Sequence, residues 1–177
     1  MPRLHVVDPA AAQGEVKQIF EGPLKGKHLN IFKGLANSPA ALNAYLGLSS
    51  ALSRGELSAK EREAVALALG EVNDCGYCTA AHTAIAKGAG MTEDETVAAR
   101  KGEPADAKTR ALVAFALKLR DASGWVEDRD IEAMRDAGYS DGAIAEAVAN
   151  YALNVLTNYF NHVNDTEVDF PKAPALA

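Results

Sequence analysis

The sequence is poor in cysteine and in long apolar runs, and each shortage excludes a class of protein. Only two of its 177 residues are cysteine, Cys75 and Cys78, and a pair so close cannot join distant parts of the chain. No apolar run reaches the roughly 20 residues that span a bilayer. The first residues also lack the apolar segment of a signal peptide. We therefore expect a cytoplasmic protein with no membrane partner.

Positive charge is also scarce. Eighteen lysine and arginine residues oppose 24 aspartate and glutamate residues, which gives a formal net charge of −6. A general nucleic-acid binder needs a basic face to displace counterions from phosphates, so we expect no nucleic-acid partner. The length, with 48% hydrophobic residues, is typical of one globular domain with its own core. We interpret residues 1–177 as that single domain.

Helix signals follow one another along the chain and predict an all-α helical bundle. Serine or threonine stands at four predicted helix starts, as expected of N-cap residues. These caps are Ser38, Ser58, Thr92 and Ser140, and Asp74 is the predicted cap of the helix that carries Cys75. The predicted helices cover about 9–20, 29–35, 39–54, 59–72, 75–87, 93–100, 105–121, 128–137 and 141–162. The tail after Asp169 contains two prolines and is expected to be irregular.

Two sixteen-residue segments resemble each other weakly. Residues 63–78 read EAVALALGEVNDCGYC and residues 146–161 read EAVANYALNVLTNYFN, with five matching positions. Alanine-rich helices often match by chance, so duplication and chance similarity both stay open. A duplication would repeat a helix hairpin and would place Asn158 and Asn161 where the first copy has Cys75 and Cys78.

The strongest functional pattern is Glu63, eleven residues, Cys75-Gly-Tyr-Cys78, three residues, and His82. Because residues three and four apart lie on one face of a helix, the two thiols and the imidazole are predicted to share one stripe. The first helical turn stabilises a thiolate, which favours Cys75. Glu63 lies almost three turns before the break that separates the two helices. In antiparallel helices it can face the stripe and accept a proton or orient the imidazole.

Other interpretations of these residues stay open. The cysteines could be a buried reduced pair, His82 a packing residue and Glu63 a solvated charge. A structural zinc site is a further alternative, although two cysteines and one histidine leave a closed site one ligand short unless Glu63 supplies it. The combination of a nucleophile, a second thiol and a proton carrier favours a thiol redox enzyme. We expect no cofactor and no metal.

These residues resemble the alkylhydroperoxidase D-like group of the carboxymuconolactone decarboxylase family. Glu63, Cys75, Cys78 and His82 meet its pattern E-x11-C-x2-C-x3-H in full. The ending TNYFNH at 157–162, followed by VDFP at 168–171, resembles a peroxidase-related branch of that group. The resemblance covers about residues 38–171. It implies an all-α fold and a homo-oligomer, a trimer or a hexamer.

The resemblance also implies an activity, the reduction of alkyl or hydrogen peroxides by a dithiol. By this analogy Cys78 attacks the peroxide, Cys75 condenses with the sulfenic acid, and Glu63 and His82 relay protons. A reductant protein or small thiol then restores the pair. Tyr77 stands where the best-known members carry a histidine, so a relay at that position would use water or the phenol.

Two other functions are compatible with the resemblance. One is lactone decarboxylation, the other named activity of the family, which has no need of a paired thiol. The second is a non-catalytic dithiol partner or sensor that passes electrons between proteins. The intact Cys75–Cys78 pair favours redox chemistry over decarboxylation.

Overall fold

The computed structural model of this protein describes residues 1–176 and contains nine α-helices and no β-strand in that range. They are α1 (Gly14–Glu21), α2 (Asn30–Leu35), α3 (Pro39–Leu52), α4 (Ala59–Val72), α5 (Gly76–Gly88), α6 (Glu93–Arg100), α7 (Ala107–Asp121), α8 (Asp128–Asp136) and α9 (Asp141–Asn164). The predicted all-α fold is confirmed. Over the same range, no helix is both long enough and apolar enough to cross a membrane.

The four predicted serine and threonine caps all form. The side chains of Ser38, Ser58, Thr92 and Ser140 each accept the backbone N–H of the residue three positions further on. At α4 the Glu61 carboxylate also accepts the N–H of Ser58, which completes a capping box. Each cap satisfies an amide that the first turn of a helix leaves without a partner.

Two helices begin two or more residues later than predicted because a local hydrogen bond holds the preceding residues. The Asp8 carboxylate accepts the N–H of Ala10 at 2.9 Å, which makes a turn of a kind that aspartate favours. Helix α1 therefore starts at Gly14 and not near residue 9. Helix α7 starts two residues after position 105, because the Asp106 side chain caps it by accepting the N–H of Thr109 at 2.8 Å.

Helix α4 runs through the middle of the bundle. Its residues Ala64–Gly70 are all buried, and it packs against α5, α6, α7 and α9. The apolar run of α4 is therefore enclosed on most sides. Fully burying one leucine stabilises a fold by roughly 1.5–3 kcal/mol, and Leu67 and Leu69 are both completely buried. Helix α4 is thus the frame to which the neighbouring helices attach.

A second apolar cluster encloses the cysteines. Its buried side chains come from the N-terminal half of the chain and include Phe20, Phe32, Leu42, Cys75 and Cys78. The two sulfur-bearing residues are therefore surrounded by hydrocarbon and are largely shielded from water.

The two similar sixteen-residue segments have different structures. The first forms a helix hairpin from α4 and α5, with a turn at residues 73–75. The second lies inside α9, one continuous helix from Asp141 to Asn164, so no second hairpin forms there. The similarity is one of sequence and not of local structure.

Candidate active site

The turn between α4 and α5 determines where Cys75 lies. Asp74 has a left-handed backbone with φ of 54°, which aspartate tolerates better than most side chains. The N–H of Cys75 donates to the carbonyl of Gly70, and the N–H of Asp74 donates to that of Glu71, both at 2.9 Å. This is the Schellman pattern that ends a helix. Cys75 is therefore both the last residue of that motif and the N-cap of α5.

The N-cap of α5 corrects one sequence expectation. Asp74 was the predicted cap, with Cys75 inside the first turn, but Asp74 is taken up in ending α4. The Cys75 sulfur instead accepts the backbone N–H of Cys78 at 3.3 Å. The sulfur thus takes the place of the oxygen that usually satisfies a first-turn amide.

The two sulfurs form a disulfide, with Sγ atoms 2.10 Å apart and Cα atoms 5.2 Å apart. Cys75 is 1% exposed and Cys78 is 2% exposed. The pair is therefore oxidised and almost wholly enclosed.

Asn161, on α9, contacts the sulfur of Cys78. Its side-chain N–H donates to Cys78 Sγ at 3.4 Å, and an N–H directed at a sulfur favours the thiolate over the thiol. Asn161 is 5% exposed, and its Oδ1 has no hydrogen-bond partner among residues 1–176. Sequence reasoning did not select Asn161 as a site residue. The sequence feature that could have identified it is its alignment with Cys78 in the two similar sixteen-residue segments.

Glu63 and His82 form a hydrogen-bonded pair. Helices α4 and α5 run back along each other from their turn, and they bring Glu63 Oε2 within 2.8 Å of His82 Nδ1. The two side chains are 15% and 23% exposed. Burial lowers the pKa of His82, but the charge of Glu63 and its hydrogen bond raise that pKa more, so it lies above its usual value. His82 follows Cys78 by one helical turn.

Two cavities adjoin these residues. The dyad cavity, of about 230 Å³, is lined by Glu63, His82 and side chains of α3 and α9. The α5 cleft, of about 360 Å³, lies at the N-terminus of α5 and is lined by residues that include Cys75, Gly76 and Asn161. The two cavities share no lining residue.

The Tyr77 hydroxyl is hydrogen-bonded to the C-terminal tail. It donates to Asp169 Oδ1 at 2.8 Å and accepts the N–H of Ile31 at 3.4 Å. Burial raises the pKa of Tyr77, and the hydrogen bond to Asp169 and its charge raise it further. The Tyr77 ring also packs edge-on against the Phe170 ring, with the two ring centroids 5.8 Å apart. The phenol therefore binds the C-terminal tail instead of serving as the relay considered from the sequence.

A metal-binding cluster does not form within residues 1–176, where no three histidine, cysteine, aspartate or glutamate side chains come together suitably. Glu63 is bonded to the His82 ring nitrogen, and both sulfurs are joined to each other. The four-ligand zinc site considered from the sequence is thus not assembled.

Comparison with known proteins agrees with this geometry. Residues 39–117 match the carboxymuconolactone decarboxylase family, a range that contains Glu63, Cys75, Cys78 and His82. No curated protein matches the chain.

Solved structures share the fold over almost the whole chain. One is described as an alkylhydroperoxidase AhpD core, an uncharacterized peroxidase-related protein from Ralstonia eutropha JMP134, with 27% identity, a TM-score of 0.84, and 95% of this chain and 92% of that chain covered. An uncharacterized peroxidase-related protein from Silicibacter sp. TM1040 has 26% identity, a TM-score of 0.79, and coverages of 93% and 89%. A complex of the debrominase Bmp8 with 2,3,4-tribromopyrrole has 19% identity, a TM-score of 0.77, and coverages of 96% and 94%. This last likeness concerns the fold alone.

The protein thus has the all-helical fold of the alkylhydroperoxidase D-like type, with a Cys-x-x-Cys pair beside a glutamate–histidine pair. The likeness to the carboxymuconolactone decarboxylase family extends over residues 39–117, which is 79 of the 177 residues.

The Glu63→Gln variant tests whether Glu63 controls the protonation of His82. Removing the charge should lower the pKa of His82, which an NMR titration of the imidazole measures. A raised folded-state pKa stabilises the fold below the unfolded value of about 6.5, and this stabilisation is lost as pH rises through the folded-state pKa. The loss of folding stability as pH rises should be smaller in Glu63→Gln than in the wild type. The control is Glu93→Gln, which removes a carboxylate bound to Lys87 of α5; an equal shift in both variants would contradict the assignment.

Proposed function

We propose that this chain is a thiol-dependent peroxidase that reduces alkyl or hydrogen peroxides through Cys75 and Cys78. The observation that carries the proposal is the Cys75–Cys78 pair, with an amide N–H on the Cys78 sulfur and the Glu63–His82 pair one helical turn away. A nucleophile, a second thiol and a proton carrier are the parts that this reaction needs.

The oxidative half of the cycle starts from the reduced pair. The Cys78 thiolate attacks one peroxide oxygen, the O–O bond breaks, and the alcohol or water leaves with a proton from His82, so that Cys78 becomes a sulfenic acid. The Cys75 thiolate then attacks the Cys78 sulfur. The hydroxyl takes up a proton and leaves as water, and the disulfide forms.

The choice of Cys78 as the attacking thiol rests on its neighbours. The side-chain N–H of Asn161 meets its sulfur, and His82 lies one turn further along the same helix. The family resemblance favours the same residue. The opposing argument is that the N-cap sulfur of Cys75 also accepts an N–H. The cysteine variants below therefore test which thiol attacks the peroxide.

The Glu63–His82 pair supplies the proton in this proposal. Glu63 occupies Nδ1 of the ring, which fixes its tautomer and leaves Nε2 for proton exchange with the peroxide or with a water. The raised pKa of His82 keeps a larger fraction of the imidazole protonated near neutral pH, which suits a donor to the leaving oxygen.

Competing functions predict different results in the same assays. A decarboxylase would keep its activity without either thiol, and a non-catalytic redox partner would oxidise slowly and bind another protein tightly. Debromination is a further alternative, because the debrominase Bmp8 shares the fold, and it is tested by offering 2,3,4-tribromopyrrole as the substrate in place of a peroxide.

Because the proposed cycle needs a reduced thiol pair, we place the protein in a reducing compartment such as the cytoplasm.

We also propose that the protein is a homo-oligomer, a trimer or a hexamer. Helix α9 exposes apolar side chains at Val148, Leu156, Tyr159 and Val163, between 38% and 61%, and their spacing places them near one face. Helix α3 buries only Leu42 and Leu52 of its 14 residues. Exposed apolar side chains on one helix face are typical of protein contacts, and a second copy of this chain would cover them.

The two cysteine variants test the assigned thiol roles. Cys78→Ser should abolish the consumption of cumene hydroperoxide with dithiothreitol, because the attacking sulfur is lost. Cys75→Ser should leave a sulfenic acid on Cys78, which dimedone labelling and mass spectrometry detect. Dimedone found on Cys75 of the Cys78→Ser variant would reverse the assignment.

The His82→Ala variant tests the proton donor. Loss of a positioned acid–base group should slow sulfenic acid formation by roughly 100-fold, measured in a single turnover of the reduced protein. His28→Ala is the control, because His28 packs against the Phe20 ring, with the two ring centroids 5.6 Å apart. A rate unchanged by His82→Ala would reduce His82 to a packing role.

The Val148→Glu variant tests the proposed assembly. A charge on the exposed apolar face of α9 should shift the mass measured by light scattering toward the 18.6 kDa of one chain, because burying an unpaired charge is costly. Val168→Glu is the matched control, since Val168 is equally exposed but lies in the tail. A wild-type protein that is already monomeric would contradict the proposal.

A further inference from the structure

The α5 cleft reaches the disulfide at one particular sulfur-bearing residue. Cys75 lines this cleft together with Gly76, Asn161 and His162. Cys78 lies behind it, joined to Cys75 and hydrogen-bonded to Asn161. A molecule in the cleft therefore meets Cys75 first.

A buried polar atom in the wall of the cleft lacks a partner. Asn161 donates its N–H to Cys78 Sγ, while its Oδ1 has no hydrogen-bond partner among the described residues, although Asn161 is only 5% exposed. Leaving a buried acceptor unpaired is energetically unfavourable. Because this oxygen is closed to solvent, a ligand thiol or hydroxyl group would donate to it only after the Asn161 side chain turns toward the cleft.

We propose that the α5 cleft binds the dithiol reductant of the cycle and that this reductant attacks Cys75. The inference deepens the proposed dithiol chemistry by naming the place where electrons enter. The volume of about 360 Å³ suits a small dithiol, or the dithiol end of a protein side chain or loop.

The reductive step balances as two thiol–disulfide exchanges. A thiolate of the reductant attacks Cys75 Sγ, the bond between the protein's two sulfurs breaks, and Cys78 leaves as a thiolate that the Asn161 N–H stabilises. The second thiol of the reductant loses its proton and attacks the mixed disulfide. Cys75 is then released as a thiolate, the reductant departs as its own disulfide, and two electrons have passed to the protein.

The position of the cleft separates this step from peroxide reduction. The dyad cavity contains Glu63 and His82, toward the C-terminal half of α5, whereas the α5 cleft lies at the N-terminus of that helix. Because the two cavities have no lining residue in common, a side chain that fills one leaves the other open. Obstruction of the α5 cleft should therefore slow reduction of the disulfide more than oxidation of the thiols.

Gly76 offers a way to fill the cleft without disturbing the fold. A Cβ built at Gly76 meets no atom within 4 Å, and the residue is exposed at the first position of α5. Gly88, at the other end of the same helix, is also exposed and equally free of neighbours. Gly76→Leu and Gly88→Leu are thus matched variants that differ in their distance from the disulfide.

The experiment measures the two half-reactions separately. Oxidised protein is mixed with dithiothreitol, and reduced protein is mixed with cumene hydroperoxide; both are quenched with acid, alkylated and counted for free thiols by mass spectrometry. We expect Gly76→Leu to slow the reduction at least tenfold more than the oxidation. Gly88→Leu should match the wild type in both. Reduced thioredoxin replaces dithiothreitol in a second arm, and slowing in one arm alone identifies a small or a protein source of the dithiol.

Trapping locates the attacked sulfur directly. Cysteamine, a monothiol, is added to the oxidised wild-type protein, and the mixed disulfide is captured with N-ethylmaleimide and located by mass spectrometry. The proposal predicts cysteamine on Cys75 and N-ethylmaleimide on Cys78. The reverse pattern, or equal reduction rates in Gly76→Leu and the wild type, would overturn it. Equal slowing of both half-reactions would also overturn it, because the cleft would then serve both reactants. A wild type that is reduced normally but never oxidised by peroxide would refute the peroxidase proposal alone.

Discussion

The tight turn between α4 and α5 is the constraint on which the site depends. Asp74 takes a left-handed backbone and closes α4, so that Cys75 becomes the first cap of α5. The chain then reverses, and the two helices run back along each other. Glu63, eleven residues before Asp74, consequently meets His82, eight residues after it, at 2.8 Å. A single turn thus sets both the sulfur position and the carboxylate–imidazole contact.

Helix α9 supplies the polar wall of the site at a cost to its own packing. Five asparagines are buried on this helix, at positions 150, 154, 158, 161 and 164. Asn150 and Asn154 return their side-chain N–H to the carbonyl four residues earlier, whereas Asn158 Nδ2 and Asn161 Oδ1 have no partner within residues 1–176. Buried polar groups are normally paired. The two exceptions on α9 lie beside the cysteine-bearing turn, where Asn158 also accepts from Asn73, as expected where function overrides packing.

The fold alone does not define the reaction. Solved structures with this architecture include peroxidase-related proteins and a debrominase, and one fold commonly hosts several chemistries because function resides in the site. In this chain the site is defined by the neighbours of its buried sulfurs. The Asn161 amide, the His82–Glu63 pair and the cleft at Cys75 together favour thiol redox chemistry over reactions that need no second sulfur.

The sequence by itself determined the features that depend on near neighbours. The caps at Ser38, Ser58, Thr92 and Ser140 and the close spacing of the cysteines and His82 follow from local helix geometry. The spacing of Glu63 was also sufficient to predict that it can face His82, because one short turn separates the helix of Glu63 from the helix of the cysteines and His82. Only the tertiary structure decided that Asn161 meets Cys78 across 83 residues and that Tyr77 meets Asp169 across 92. Such contacts depend on how distant helices and the tail pack, and local periodicity does not specify that packing.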